Sequence, residues 1–160
     1  FTVDALLGMP AAGYAGGRLA VVRLCPADYH RFHFPCDARV IAQRHIPGRY
    51  HSVNTLVVAM GVDVFSENER QVTLLENEQL GEFALVEVGA FGVGSIVQTF
   101  TGAEVRKGEE KGYFQYGGST IVLLFRRERV EFCPDLVAHS AEGIETFLRA
   151  GELLAKMTSA

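Results

Sequence analysis

Gly117-Gly118-Ser119-Thr120-Ile121-Val122-Leu123-Leu124-Phe125 is the stretch that decides the fold. The glycine pair marks a turn, and the five apolar residues after Thr120 continue unbroken to Arg126, the pattern of a strand buried in a sheet. Working outward, short apolar or alternating runs recur at residues 19–24, 38–42, 55–59, 71–75, 83–88 and 95–100, each bounded by Gly, Pro, Asn or Asp. Regular short strands with turn signals predict a mainly β fold, a single compact sandwich or barrel-like antiparallel sheet with few short helices, rather than a βαβ fold. The apolar stretch 83–100 is broken by Glu87 and three glycines and reads as a buried strand pair rather than a spanning helix.

Composition narrows the classes. With 160 residues and 48% hydrophobic content the chain can bury a substantial core without disulfides or metal, and no linker or repeat divides residues 1–160 into two domains. A net charge of −4, with acidic and basic residues interspersed, argues against nucleic acid as a partner. Cys25, Cys36 and Cys133 are odd in number and lack Cys-x-x-Cys spacing, so neither a disulfide framework nor a zinc site is expected. Arg126-Arg127-Glu128-Arg129 reads as a solvated turn, with contact to anionic headgroups as the second reading.

The chemistry concentrates at two places. A glycine carbonyl directly before a serine hydroxyl is where a chain can cleave itself. Gly118 has no Cβ and tolerates the strain of bringing the Ser119 hydroxyl onto its carbonyl. The acyl group then shifts from nitrogen to oxygen, β-elimination releases a chain ending at Gly118, and the remaining dehydroalanine hydrolyses to an N-terminal pyruvoyl group. That ketone can condense with a substrate amine and withdraw the electrons left by a departing carboxylate. Upstream, Pro26-Ala27-Asp28-Tyr29-His30-Arg31-Phe32-His33-Phe34-Pro35 supplies two histidines three apart, able to move protons near neutral pH, and an arginine able to hold an anion.

These residues resemble the catalytic part of phosphatidylserine decarboxylase, a pyruvoyl enzyme made as a proenzyme. Phe1-Thr2-Val3-Asp4-Ala5-Leu6-Leu7-Gly8 is similar to the stretch before the family's histidine motif, and Asp28-Tyr29-His30-Arg31-Phe32-His33 to the motif itself. The order continues through Pro47-Gly48 with Ser52-Val53-Asn54, and Phe65 with Asn68-Glu69-Arg70. Val88-Gly89-Ala90 with Val93-Gly94-Ser95-Ile96, Lys107-Gly108-Glu109 with Gly112-Tyr113-Phe114, and the Gly-Gly-Ser-Thr motif follow. Asp135-Leu136 and Gly143-Ile144-Glu145-Thr146 resemble the family's tail, and the resemblance puts a strand before Gly151 in the otherwise ambiguous 140–157 region.

What the resemblance implies maps residue by residue. Ser119 becomes the pyruvoyl group and Gly118 ends the larger fragment, so that 1–118 is the β-chain part and 119–160 the α-chain. His33 acts as base near the serine in self-cleavage, and His30 acts in decarboxylation, near the substrate carboxylate or as proton donor; no metal takes part. The family's self-cleavage aspartate lies in a segment not matched here, neither Asp4 nor Asp28 replaces it, and the chain is expected to be the C-terminal portion of a longer proenzyme. The implied reaction converts phosphatidylserine to phosphatidylethanolamine and carbon dioxide. The implied partners are phosphatidylserine in a membrane and, through peripheral association at the cytoplasmic face, the bilayer itself; a homodimer of cleaved units is allowed. The alternatives are a pyruvoyl decarboxylase of a soluble amino acid such as tryptophan, an uncleaved lipid-binding homologue, and a carrier domain modified at Lys107 or Lys111.

Overall fold

The computed structural model describes residues 1–53, 60–92, 95–115 and 119–158. The expected strand at 55–59, and with it Asn54, Val93-Gly94 and Gly117-Gly118, lies outside the described residues.

The architecture is mainly β with antiparallel sheets, as the sequence predicts. Among the described residues the large sheet has six strands in the order β1, β9, β5, β4, β3, β7: β1 is Arg18–Leu24, β3 Ala38–Ile46, β4 Arg70–Asn77, β5 Gly81–Val88, β7 Glu104–Val105 and β9 Ser119–Phe125. A second sheet orders β2 (Arg31–His33), β8 (Glu110–Gln115) and β6 (Ser95–Gln98), and a two-stranded ribbon joins β10 (Val130–Phe132) to β11 (Ala155–Met157). Three short α-helices, α1 (Val3–Leu7), α2 (Val64–Glu67) and α3 (Pro134–Ala141), and a 3-10 turn at Ala12–Tyr14 complete the described elements.

The apolar run that decides the fold sits near the middle of the large sheet. β9 pairs along its whole length with β1, and from Thr120 to Phe125 with β5. Both faces of these strands are covered, which is why their sequences run apolar without alternating. Phe83, Leu85, Leu123 and Phe125 point into one core with Phe34, Leu75 and Val105. Ala84, Val86, Val88, Val122 and Leu124 point into another, roofed by Leu6 and Leu7 of α1 and by Tyr14. A third core joins the two sheets, with Phe32 and Phe114 from the small sheet packed near Leu24 and Ile121 of the large one.

Two departures have physical causes. Residues 83–100 do hold two strands, but these do not pair with each other: β5 joins the large sheet and β6 crosses to the small one. At the end of the chain no strand precedes Gly151; α3 forms after Pro134, which presets the first helical turn, and β11 follows Gly151 and pairs with β10.

Candidate functional site

Ser119 is the first residue of β9 and is fully buried, its Oγ without a hydrogen-bond partner among the described residues. It lies opposite Leu24, the last residue of β1, in the antiparallel register. The chain leaving Leu24 turns at once. Asp28 N–H donates to the Cys25 carbonyl (2.8 Å), and Cys25 N–H donates to Asp28 Oδ2 (2.7 Å), so the turn is closed from both sides. Pro26 suits its first corner because its ring presets φ.

This turn delivers His30. Its carbonyl accepts from Phe114 N–H (2.9 Å), near the end of β8 and five residues before Ser119. Its Nδ1 donates to the Asp28 carbonyl at 2.6 Å, and its Nε2 is buried without a partner among the described residues. A carbonyl only accepts, so Nδ1 carries a proton, and Nε2 is left turned to the interior with no bond of its own among the described residues.

His33 is placed differently. It stands opposite Glu110, at the start of β8, and is exposed. Its Nδ1 donates to the Gly108 carbonyl (3.0 Å), and its Nε2 accepts from Tyr29 Oη (3.0 Å) with the two rings stacked. No hydrogen bond joins either histidine to Ser119 among the described residues. Of the two, His30 is tied to the Ser119 end of β8. Arg31, the expected anion-holding cation, gives its guanidinium to the Glu110 carboxylate (2.7 and 2.8 Å) and lies over the Tyr113 ring.

The sequence reading missed a buried ion pair. Glu87 and Lys111 are both fully inaccessible, with Lys111 Nζ 2.9 Å from Glu87 Oε2 and 2.6 Å from Gln98 Oε1, beneath the rings of Phe32 and Phe100. Burial drives the Glu87 carboxyl above its usual range and the Lys111 ammonium below its own, each opposed by the partner. Glu87 lies opposite Ile121, so it shares the sheet face on which Ser119 begins the strand. The only signal in sequence is a carboxylate interrupting an apolar run. The same burial removes Lys111 as a carrier lysine, since a modifying enzyme cannot reach it.

The Asn68-Glu69-Arg70 motif works on the backbone. Asn68 binds the His51 and Gly89 carbonyls and the His51 N–H. The buried Arg70 donates to the carbonyls of Ala5, Leu6, Ser66 and Asn68 at 2.7–2.9 Å, joining the end of α1 to α2.

Residues 1–156 match the family model described as phosphatidylserine decarboxylase. The chain belongs to the phosphatidylserine decarboxylase family. Curated relatives named phosphatidylserine decarboxylase proenzyme agree. That of Chlamydia trachomatis serovar L2 is 48% identical over 162 residues, covering 99% of this chain and 54% of the relative. Those of Fusobacterium nucleatum and Ruminiclostridium cellulolyticum are 43% and 41% identical, covering 89% and 90% of this chain and 48% of each relative. The chain thus spans about half the length of the curated relatives it matches. The family resemblance read from the motifs of residues 1–146 is borne out across nearly the whole chain.

Proposed function

We propose that this chain carries the catalytic centre of a carboxy-lyase that converts phosphatidylserine to phosphatidylethanolamine and carbon dioxide, after self-cleavage between Gly118 and Ser119. The observation that carries the reading is the Ser119 hydroxyl, buried and unpartnered among the described residues at the first position of β9. A buried hydroxyl normally finds a partner, and one left unpaired directly after a glycine pair suits a nucleophile awaiting a reacting carbonyl. The position therefore fits a pyruvoyl group derived from Ser119, with the bare Nε2 of His30 on the adjoining turn.

In self-cleavage the Ser119 oxygen attacks the Gly118 carbonyl carbon and its proton passes to a base. The peptide C–N bond breaks, leaving an ester and a free amine on residue 119. Loss of the residue 119 Cα proton expels the Gly118 carboxylate; water then displaces ammonia from the resulting dehydroalanine. The family resemblance assigns the base to His33. A second reading assigns it to His30, because Tyr29 occupies His33 Nε2 while His30 Nε2 is open. The fragments would be 1–118 and 119–160.

The group supplies an electron sink that lets the carboxylate of an attached amine depart as carbon dioxide. His30 Nε2 takes a proton from the incoming substrate ammonium and returns one to the carbon the carboxylate has left. Burial of the site keeps water from competing. The reading includes peripheral association with the cytoplasmic face of a membrane, where the lipid lies. Among the described residues no helix is long and apolar enough to cross a bilayer.

Intact mass spectrometry of the native protein tests the cofactor: two fragments are expected, the smaller beginning as a pyruvoyl group at position 119. Ser119→Ala should give one uncut chain that releases no carbon dioxide from phosphatidylserine vesicles. Carbon dioxide release by that variant would overturn the assignment, and native preference for a free amino acid over the vesicles would redirect the substrate.

A further inference from the structure

We propose that Asp28 is a positioning residue: through the turn it closes with Cys25, it fixes His30 in the Nδ1–H tautomer and keeps Nε2 turned to the interior. The catalytic consequence rests on the decarboxylase reading above. The tautomer itself does not.

The linkage is continuous. Ser119 is held opposite Leu24 by the β1–β9 register. Cys25, the next residue, has its N–H satisfied by the Asp28 side chain and its carbonyl by the Asp28 N–H. Those two bonds hold Asp28 in the turn, and its carbonyl receives His30 Nδ1–H at 2.6 Å. The far side of His30 is fixed independently by Phe114 N–H on its own carbonyl. The ring is therefore clamped between a turn leaving β1 and a strand leading toward Ser119.

The alternative tautomer fails twice. It would leave the Asp28 carbonyl facing a bare Nδ1, and it would bury an Nε2–H that has no acceptor among the described residues. With the Asp28 carboxylate gone, Cys25 N–H loses its acceptor, the turn is held by one bond instead of two, and the carbonyl that selects the tautomer is free to tilt. The substitution Asp28→Asn keeps an acceptor without the charge, since a side-chain amide oxygen accepts the same bond.

The test reads the histidine nitrogens by NMR in protein labelled with 15N-histidine, alongside decarboxylation of phosphatidylserine vesicles. In the native protein His30 should show a protonated Nδ1 and a bare Nε2. Asp28→Ala should give a mixture of tautomers and lower kcat by about 10- to 100-fold while KM moves little, the size expected for misplacing a catalytic group. Asp28→Asn should recover both the native tautomer and most of kcat. Retention of the native tautomer in Asp28→Ala would overturn the proposal, as would its loss in Asp28→Asn. Because the nitrogen shifts need no turnover, a native protein that releases no carbon dioxide sinks the decarboxylase reading and leaves the tautomer result to decide this one.

Discussion

At the scale of single residues the energetic extremes are charges without water. Glu87 and Lys111 offset their desolvation against each other and Gln98, and one Glu87 oxygen stays unpaired among the described residues. Removing one partner of such a pair strands a buried charge, whereas replacing both with apolar groups does not. Lys111→Met should therefore destabilise the protein by about 3–5 kcal/mol, read as a lowered urea midpoint. Glu87→Leu with Lys111→Met should return stability to within about 1 kcal/mol of the parent or raise it. If the single and double variants are equally destabilised, the pair is not what holds the site. Arg70 solves the same problem differently: four backbone carbonyls, rather than a carboxylate, take the donors of a cation that burial pulls below its usual range.

Among elements, β8 positions the candidate site because it leads into the Gly-Gly-Ser stretch. It lies between β2 and β6, and Gly112 is paired on both sides, with Phe32 and with Gln98. A Cβ there would sit 2.0 Å from the Val97 carbonyl oxygen and 2.9 Å from the Phe32 ring. The ring can move; the ladder carbonyl cannot without breaking the β6–β8 pairing. Gly112→Ala should cost on the order of 3 kcal/mol, at the upper end of overpacking effects, and should slow self-cleavage because it displaces the strand entering the scissile segment. Thermal unfolding and fragment yield measure the two effects. An Ala variant as stable as the parent and cleaved at the same rate would show that the small sheet does not govern the site.

Considered whole, the molecule would remain one body after a cut before Ser119. A break before Ser119 falls at the first residue of β9, so it leaves the pairing of β9 with β1 and β5 intact. Val122, Leu123, Leu124 and Phe125 stay buried, at about 2 kcal/mol each. Farther along, Arg23 Nε donates to Glu145 at 2.7 Å, tying the tail to β1 and holding the Glu145 carboxyl below the usual range. Fragments 1–118 and 119–160 should therefore copurify through native chromatography and separate only in denaturant; separation in native buffer would contradict the β9 pairing. The pair with Glu145 is exposed and adds little to this beyond orientation.

Sequence alone determined a great deal here. The apolar run 121–125, the spaced strands and the turn residues specified a mainly β body, because period and punctuation are local properties of the chain. The motif order specified the family, because it depends on residue identity rather than on contact. Tertiary structure decided what no local pattern encodes. It sent β6 to a second sheet instead of pairing it with β5, since sheet partners are chosen by packing across distance. It buried Lys111 against Glu87, residues 24 positions apart that no local pattern pairs. It engaged both nitrogens of His33 with Gly108 and Tyr29 while leaving His30 Nε2 bare, a distinction between two histidines of one motif that arises only when each ring meets its neighbours.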